Sequence, residues 1–582
     1  MAICGGAGAG TALADSTTVS SFDGTQIHVN FFAAPGLKPG ARAATVLLGP
    51  GWSSPGDTST TDSTDTSTGI PGVGTMLRAG FNVVTWDPRG FGSSGGMVEV
   101  DSSQYEGRDV SAIISWLAKQ PQAQLDRTGD PRVGMVGGSY GGGIQLVAAA
   151  IDPRIDAIVP DIAWNSLVTS LYKQQTFKQG WSNILYVLGK ANGHLDPMID
   201  QSYQAGAAGQ PLTPDEVNFY ATRGPGALVK QIRIPTLLVQ GTADNLFTLQ
   251  EALTNYSILR RDGVPVKMLW FCGGHGICLT NPGDTALIDK DTIGWLDRYL
   301  LRRVGVATGP TFEWVDQNGA EHTASDYPLA AGQSVGTQGS GTLAITNAGG
   351  SGPVAPSSGA SATASIAAPI TPAKAANAVN VTVAAPARPR FVVGTPRLTI
   401  TYSGTGAGEP GSSTRVYAQV VDDATAKVLG NQISPVPVTL DGESHTFTEP
   451  LEVLSATQAP GETFTLQLTA STQAYETQRT SGTVSFSKID LELPTVETGA
   501  TPPGYGPIAP NGCTSGGVVR VSLPAGVRSA YASIGHRVIA RGRRALSLNL
   551  VGLGSRTVRV KIVMRGRNGR TRVHTRTLRA CP

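Results

Sequence analysis

A serine in a glycine-rich turn is the residue of this chain best suited to chemistry. The run Val136-Gly137-Gly138-Ser139-Tyr140-Gly141-Gly142-Gly143 puts Ser139 in the pattern G-x-S-x-G, between a strand-like stretch and a small-residue helix. The glycines permit a sharp turn, which would lift the hydroxyl clear of the sheet edge. The backbone N–H of Tyr140 would then point at a developing oxyanion. We predict that Ser139 is a nucleophile.

A second run, Gly92-Ser93-Ser94-Gly95-Gly96, fits the same pattern in a different setting. It follows Asp87-Pro88-Arg89-Gly90 rather than a strand, and no helix begins directly after it. We therefore interpret Ser94 as part of a Gly/Ser loop.

A serine nucleophile needs a base, which in this arrangement comes last in the order Ser, Asp or Glu, His. Three histidines precede Thr311, and only His275 follows all the predicted strands, in a glycine loop that could deliver the imidazole. His28 is expected on a strand and His194 in a helical segment. We predict that His275 is the general base.

The acid that orients the base should end the preceding sheet strand. Asp244 stands there, in Gln240-Gly241-Thr242-Ala243-Asp244, although it could also be a helix cap or turn residue. Asp87 ends a strand too, but it precedes Ser139 and breaks the order. For the second oxyanion donor we predict the Trp52 N–H, in Gly49-Pro50-Gly51-Trp52, where the alternative is a plain Gly-Pro turn.

The five cysteines suggest two pairs and one remainder, Cys4. Cys272 and Cys278 flank His275 as C-x2-H-x2-C, a spacing too tight for zinc with no fourth ligand nearby. A disulfide that pins this loop and a pair of thiols remain the two alternatives. Cys513 and Cys581 bracket the C-terminal region and would close it if oxidised. Two such pairs favour an oxidising compartment.

The first residues also favour export. Residues 1–14 end in Ala12-Leu13-Ala14, a small-x-small pattern that precedes signal cleavage, and we interpret them as the remnant of a signal peptide. We expect a secreted or cell-surface protein, the alternative being a cytosolic protein with a disordered Ala/Gly-rich start. The chain contains no run of about 18 apolar residues, so the sequence predicts no transmembrane helix.

The 582 residues are too many for one compact core. Residues 15–310 alternate strands and helices, which predicts an α/β domain, with a helical excursion at about 164–230. Residues 311–494 have the alternation of an all-β sandwich, interrupted by a flexible Gly/Ser/Ala/Pro-rich segment at about 331–377. Residues 502–582 are predicted to form a small β domain.

Charge separates this last domain from the rest. From Thr501 to Pro582 there are 14 Arg, one Lys and no Asp or Glu, which gives +15. Because the whole chain carries +3, the preceding residues carry −12. An anionic cell-surface polymer is the partner we expect for this domain. Nucleic acid is disfavoured because the domain has one aromatic residue after Gly506, Tyr531. Solvated arginines without a partner are the remaining alternative.

Together these motifs resemble the X-Pro dipeptidyl-peptidase and cocaine-esterase family of α/β-hydrolases (peptidase family S15). The resemblance rests on four runs: Asp87 to Gly96, the turn at Ser139, Gln240 to Asp244, and Gly273-Gly274-His275-Gly276. It implies an α/β-hydrolase fold with a helical cap, followed by a jelly-roll-like β domain, and it leaves the basic domain outside. Family members with known esterase activity have a tyrosine hydroxyl in the oxyanion hole, where this chain reads Gly49 to Trp52.

The function expected is that of an exported serine hydrolase that cleaves an ester or peptide bond of a small substrate through an acyl-enzyme. This chemistry calls for no cofactor or metal. One alternative is an X-Pro dipeptidyl aminopeptidase, which needs an acid for a free amino terminus; the cap offers Asp196, Asp200, Asp215 and Glu216. The other is a surface-binding protein with a vestigial hydrolase domain.

Overall fold

The computed structural model describes residues 15–355, 362–407 and 412–496, and seven stretches of the C-terminal region: 513–514, 518–523, 527–534, 537–543, 545–549, 557–566 and 571–580. The predictions for residues 1–14, Cys4 included, lie outside these residues. The chain divides into two compact units after Ala500.

The first twelve strands build a large mixed sheet and one short hairpin. They are β1 (Asp15–Ser20), β2 (Gln26–Phe32), β3 (Thr45–Leu48), β4 (Asn82–Trp86), β5 (Leu125–Arg127), β6 (Asp130–Pro131), β7 (Val133–Gly138), β8 (Ile155–Asp161), β9 (Thr236–Gly241), β10 (Val266–Phe271), β11 (Phe312–Val315) and β12 (Glu321–Ala324). The sheet order is β1-β2-β4-β3-β7-β8-β9-β10-β11-β12, and β5 pairs with β6 in the hairpin. The segment from β4 to β11 is parallel.

Helices cover this sheet and form the cap. They are α1 (Val73–Arg78), α2 (Glu106–Leu117), α3 (Tyr140–Ile151), α4 (Leu167–Leu171), α5 (Gln179–Asn192), α6 (Pro197–Ala207), α7 (Pro214–Ala221), α8 (Leu249–Arg261) and α9 (Ala286–Tyr299). Helices α4 to α7 lie between β8 and β9, where the sequence predicted the excursion. None of the described helices has the length and apolar character needed to cross a membrane.

The central strands carry apolar residues on both faces because helices cover both sides of a parallel sheet. All four residues of β3, Thr45-Val46-Leu47-Leu48, are buried. Leu47 belongs to one apolar core and Val46 to another. The alternation of strands and helices thus becomes a rigid platform whose strand ends carry the loops described below.

The sheet extends beyond the predicted domain boundary at residue 310. Strand β11 pairs in parallel with β10, and β12 returns antiparallel to β11. The α/β sheet therefore ends at Ala324. The apolar run in β11 would fit a strand of the sandwich equally well, so the local pattern alone could not assign it to the α/β sheet.

The following β region forms a sandwich. Its elements are β13 (Val335–Ile345), α10 (Ala362–Ala367), β14 (Ala378–Val383), β15 (Arg390–Gly394), β16 (Arg397–Gly406), β17 (Ser412–Asp422), β18 (Lys427–Val428), β19 (Ser434–Pro450), β20 (Leu454–Gln458), β21 (Phe464–Thr469), β22 (Gly482–Leu493) and β23 (Thr495–Val496). An eight-stranded sheet runs β13-β22-β16-β19-β17-β21-β14, with β18 on β17, and a second sheet runs β20-β15-β23. The outer strands β13 and β14 meet, since Thr337 Oγ1 donates to the Thr382 carbonyl at 2.7 Å.

The prediction of a flexible segment at about 331–377 was wrong for its first part. Residues 335–345 form β13, which pairs with β22 along its whole length. Gly339 and Gly341 lie against Val381 and Val379, where an added Cβ would come within 2.6 and 2.7 Å of them. The small residues that suggested a linker therefore allow close packing.

The Arg-rich unit is a small β domain, as its alternating pattern predicted. Its strands are β24 (Cys513–Thr514), β25 (Val518–Ser522), β26 (Val527–Ile534), β27 (Arg537–Gly542), β28 (Ala545–Asn549), β29 (Thr557–Gly566) and β30 (Thr571–Ala580). One sheet runs β24-β30-β29-β26-β27, and β25 pairs with β28.

Candidate active site

Ser139 lies at the turn between β7 and α3 in a strained backbone conformation. Its φ is 55° and its ψ is −118°, which side chains other than glycine rarely adopt. The neighbouring glycines make the turn possible: an added Cβ at Gly141 would lie 2.1 Å from the Gly49 carbonyl oxygen, and at Gly137 2.6 Å from the same atom. The Ser139 N–H donates to the Asp161 carbonyl at 3.0 Å, which fixes the turn to β8.

Three predicted residues from separate loops meet in a chain of hydrogen bonds. His275 Nε2 lies 2.8 Å from Ser139 Oγ, and His275 Nδ1 lies 2.7 Å from Asp244 Oδ2. The loop after β7 carries the serine, the loop after β9 the aspartate and the loop after β10 the histidine. In this order the imidazole can accept the serine proton while the carboxylate stabilises the charged ring.

The carboxylate of Asp244 is fully buried and held by backbone donors. Oδ1 accepts the N–H groups of Leu246 and Phe247, both at 2.9 Å, and Oδ2 also accepts the His275 N–H at 3.1 Å. The sequence left a turn role open for Asp244; the structure gives it this role as well, because Oδ1 caps the loop while Oδ2 faces the imidazole. The rings of Phe247 and Trp181 lie edge-on to the imidazole, with centroids 5.0 and 5.7 Å away.

The other candidates lie apart from this group. Ser94 Oγ donates to the Asp87 carbonyl at 2.6 Å and accepts the His28 N–H at 2.9 Å, so it stabilises a loop beside β2. The Asp87 carboxylate accepts the N–H groups of Gly56 and Ser93. His194 is exposed between α5 and α6.

The two residues predicted to supply the oxyanion donors, Tyr140 and Trp52, line the same cavity as Ser139. Within the described residues, neither the Tyr140 nor the Trp52 backbone N–H donates a hydrogen bond. The Trp52 indole lies edge-on to Tyr140, with a centroid distance of 5.3 Å, and its Nε1 donates to the Leu185 carbonyl of α5 at 2.8 Å. Trp52 thus ties the loop after β3 to the cap. Its role as an oxyanion donor stays a prediction.

A buried acidic group lies behind Tyr140. The Tyr140 hydroxyl donates to Glu106 at 3.3 Å and accepts the Asp101 N–H at 3.4 Å. Burial raises the pKa of Glu106 to about 8 and the pKa of Asp101 well above its usual range. These contacts fix the Tyr140 ring and with it the start of α3.

A cavity opens above Ser139 beneath the cap and encloses about 930 Å³ of space, its mouth included. Its described lining is aliphatic, aromatic or hydroxyl-bearing throughout, with no charged side chain. The lining residues are Trp52, Val100, Ser139, Tyr140, Trp164, Leu167, Val168, Leu171, Tyr172, Phe177, Ser182, Leu185, Tyr186, Ile199, Ser202, Tyr203, Leu212, Val217, Tyr220 and Phe247.

The four cap acids that sequence offered for an amino terminus lie outside this lining. Asp196 caps α6 by accepting the Met198 N–H, and Asp200 pairs with Lys190 at 3.0 Å. Glu216 closes the capping box of α7 with Thr213. Asp215 is exposed.

Sequence reasoning missed three residues that hold the Asp244 and His275 loops. Gln432 Nε2 donates to the Asp244 carbonyl at 2.9 Å, and Asn431 Nδ2 to the Ile277 carbonyl at 2.7 Å. Lys178, buried in the cap, donates to the carbonyls of Asn245 and Leu246, each at 3.1 Å. Gln432 and Asn431 belong to the β-sandwich. No local motif marks any of the three.

Cys272 and Cys278 form a disulfide around the His275 loop. Of the two alternatives left by the sequence, the disulfide is thus the one present, and neither thiol is available as a metal ligand. In the basic unit the backbone of Cys513 pairs with that of Arg579. Cys581 lies outside the described residues, so the second pair stays a prediction.

A parallel sheet covered by helices, with Ser139 after β7 and with Asp244 and His275 on later loops, is the α/β-hydrolase fold. Residues 23–276 match the family described as X-Pro dipeptidyl-peptidase (S15 family). The match spans less than half of the chain and includes the four runs on which the resemblance rests.

Solved structures share the fold over most of the chain. A CocE/NonD family hydrolase from Staphylococcus aureus superposes with a TM-score of 0.60 and 14% identity, covering 84% of this chain and 97% of its own. An aminopeptidase from a Thaumarchaeota archaeon gives the same values. An α-amino acid ester hydrolase gives a TM-score of 0.62 and 14% identity, covering 85% and 98%.

Curated relatives match a shorter part. Two Escherichia coli proteins, each described as an uncharacterized 31.7 kDa protein in the traX-finO intergenic region, are 36% and 35% identical over 89 residues. The match spans 15% of this chain and 29% of the length of each relative.

Proposed function

We propose that the protein is a serine hydrolase that cleaves esters of uncharged, apolar acids through an acyl-enzyme. The observation that carries this proposal is the hydrogen-bonded chain from Ser139 Oγ through His275 to Asp244 at the base of an apolar cavity. The match of residues 23–276 to a hydrolase family supports the same general chemistry.

The chemistry follows from this arrangement. His275 Nε2 takes the proton of Ser139 as the oxygen attacks the substrate carbonyl carbon, and the Nδ1–H donates to Asp244. The N–H groups of Tyr140 and Trp52 are proposed to stabilise the tetrahedral oxyanion, at about 3 kcal/mol per donor. The imidazolium then gives its proton to the leaving alcohol, and the acyl group stays on Ser139 Oγ. Water, activated by His275, releases the acid by the same steps in reverse.

The lining of the cavity favours uncharged substrates over dipeptides with a free amino terminus. A bound ammonium group would lose its hydration and find no carboxylate among the described lining residues. Leaving a charge unpaired in such a site costs several kcal/mol. An X-Pro dipeptidyl aminopeptidase is the second candidate, favoured by the family match.

Two further parts of the proposal concern location and the vestigial alternative. The Cys272–Cys278 disulfide supports export, because disulfides persist in oxidising compartments.

A vestigial hydrolase domain would be expected to have lost one or more of the three side chains Ser139, Asp244 and His275. Here all three side chains are present and within hydrogen-bond distance, which supports an active enzyme.

Labelling with a fluorophosphonate probe tests the nucleophile. We expect wild-type protein and Ser94→Ala to be labelled and Ser139→Ala to remain unlabelled. Ser94→Ala is the matched control because its serine fits the same sequence pattern. Absence of labelling in the wild type would refute the serine mechanism and favour the binding-protein alternative.

A matched substrate pair tests the specificity. The p-nitrophenyl esters of 3-phenylpropanoic acid and of phenylalanine differ by one α-ammonium group, and we expect kcat/KM to favour the uncharged ester by about 100-fold, equivalent to roughly 3 kcal/mol. Equal kcat/KM values for the two esters would contradict the preference for uncharged substrates, and so would a higher kcat/KM for an X-Pro-p-nitroanilide than for the uncharged ester. Either result would leave the nucleophile assignment intact.

A further inference from the structure

The Arg-rich unit has a buried and an exposed sheet face. On the inner face, apolar side chains of β26 and β29 pack with those of the β25–β28 pair, among them Ala532, Leu546, Leu548, Val560 and Ile562. Alternate residues of a strand point to opposite faces. The intervening residues of β29 are Arg559, Lys561 and Arg565, which are exposed, and Val563.

The register gathers cations, hydroxyls and apolar groups on the outer face. Lys561 pairs with Thr575 and Arg565 with Thr571, both on β30. Tyr531 of β26 pairs with Arg541 on one side and Val563 on the other, and Val563 pairs in turn with Val573. We call Arg541, Arg559, Lys561 and Arg565, together with Tyr531 and Val573, the cationic face.

Charge on this face is not neutralised within its own unit. Residues 501–582 contain no Asp or Glu, so no side-chain carboxylate of the unit can pair with the four cations. At the centre of the face, Tyr531 and Val573 are 40% and 52% exposed. Unpaired cations around exposed apolar groups are typical of a binding surface rather than of a solvated one.

We propose that the cationic face binds a linear surface polymer whose sugar or polyol units are joined through phosphate groups. Guanidinium groups present a planar fork that matches phosphate oxygens. Alternate residues of β29 lie roughly 6.6 Å apart, so Arg559 and Lys561 form a row that successive phosphates can follow. The hydroxyls of Thr571 and Thr575 can bond neutral hydroxyls, and the Tyr531 ring can pack on the C–H groups between phosphates.

Single-stranded nucleic acid fits this face less well. Its binding sites stack successive bases on several aromatic side chains, whereas the described strands of this unit offer one exposed ring, Tyr531. A polymer of carboxylates can also pair with guanidinium groups, so the experiment below includes polyglutamate as a competing ligand.

Binding of the full-length protein to immobilised poly(glycerol phosphate) tests the proposal. The face variant Arg559→Gln/Lys561→Gln/Arg565→Gln is compared with Lys38→Gln/Arg42→Gln/Arg388→Gln, which removes the same charge from exposed positions of the other unit. We expect the face variant to bind at least 10-fold more weakly. The slope of log K against log salt concentration should fall in magnitude by about 2, at about 0.7 per lost contact. The control should stay within twofold of wild type.

Three results would overturn the proposal. Equal losses in the two variants would mean that net charge alone drives binding. Tighter binding of single-stranded DNA or of phosphatidylglycerol vesicles would mean a different partner, and equal binding of polyglutamate would exclude phosphate recognition. Tyr531→Ala supplies a charge-neutral check, with about threefold weaker binding and an unchanged salt slope expected. Unaltered ester hydrolysis shows that the first unit of each variant is folded, and an unaltered far-UV circular dichroism spectrum and thermal unfolding profile of the full chain show the same for the Arg-rich unit.

Discussion

The side-chain amide of Gln432 donates a hydrogen bond of 2.9 Å to the backbone carbonyl of Asp244, from a point 188 residues later in the chain. The adjacent Asn431 donates to the carbonyl of Ile277, two residues after His275. Neighbouring residues of the β-sandwich therefore hold both loops that present Asp244 and His275. The sandwich acts on the site as a support for these loops.

We expect Gln432→Leu to lower kcat for ester hydrolysis by about 10-fold and to leave KM within twofold. The substitution leaves the carbonyl of Asp244 buried without its donor, at a cost of about 1–3 kcal/mol, while the cavity lining is untouched. The measurement is steady-state kinetics with a p-nitrophenyl ester, together with the rate of fluorophosphonate labelling.

Gln419→Leu is the matched control for this variant. Gln419 is equally buried in the same β-sandwich and also donates to a carbonyl, that of Ala373, but it contacts neither loop. We expect it to destabilise the protein without changing kcat at temperatures where the protein is folded. Equal loss of kcat in both variants would contradict a positioning role for Gln432.

The buried Lys178 leads us to expect that the free energy of unfolding depends on pH. Loss of hydration on burial lowers its pKa from 10.5 to about 8. Between pH 8 and 10.5 the unfolded chain retains a proton that the folded chain has released, so the folded state gains stability as the pH rises. A shift of this size corresponds to about 3 kcal/mol.

The comparison with Lys178→Met isolates this effect, because the other lysines and tyrosines titrate in both proteins. We expect the free energy of unfolding of the wild type, relative to the variant, to increase from pH 8 to 10.5 in urea titrations. The charged and titratable groups near the ammonium are Asp244, Glu251, Glu452, Lys173 and Tyr475. Parallel profiles would mean that Lys178 keeps an ordinary pKa.

Sequence alone predicted correctly that the side chains of Ser139, Asp244 and His275 lie next to one another. Ser139, Asp244 and His275 each follow a strand of a parallel sheet, and such strand ends meet at one edge, so their order in the chain predicts their meeting. Residues that act through tertiary contacts had no such signal. Gln432 follows a short turn in an all-β region, and Lys178 precedes an amphipathic helix like many surface lysines.

The errors in the fold arose where one local pattern fits two tertiary settings. Phe312–Val315 is a strand in either domain, and its pairing with β10 assigns it to the α/β sheet. Val335–Ile345 has the composition of a linker, yet two of its glycines, Gly339 and Gly341, lie where neighbouring valines leave no room for a side chain. In both segments the structure is determined by pairing with a strand that is distant in the chain, which the local sequence does not reveal.

The Cys272–Cys278 disulfide closes a short loop around His275, which leads to a redox prediction. Without the bond the loop gains conformational freedom, and the imidazole leaves its position between Ser139 and Asp244 more often. We expect Cys272→Ala/Cys278→Ala to lower kcat by about 10-fold, a loss near 1.4 kcal/mol of transition-state stabilisation.

Treatment of the wild type and the double variant with dithiothreitol tests whether the loss of activity comes from this disulfide. The reductant should lower the activity of the wild type to that of the double variant and have no effect on the double variant itself. A reductant effect of equal size in both proteins would place the sensitive bond elsewhere. Full activity of the double variant would show that the glycine loop holds His275 without the bond.

Two glycine substitutions separate the turn at Ser139 from ordinary helix positions. An added methyl group at Gly141 would lie 2.1 Å from the Gly49 carbonyl oxygen, whereas at Gly294, within α9, it would meet no heavy atom within 4 Å apart from the chain neighbours and the backbone of α9 itself. We expect Gly141→Ala to abolish ester hydrolysis and fluorophosphonate labelling, because α3 must move away from β3 and carry the Tyr140 N–H with it. Gly294→Ala should raise the free energy of unfolding by roughly 0.5–1 kcal/mol, since alanine favours the helix. Thermal unfolding measures the effect of Gly294→Ala, and activity assays measure that of Gly141→Ala. An active Gly141→Ala would show that α3 can move away from Gly49 without disturbing the turn at Ser139.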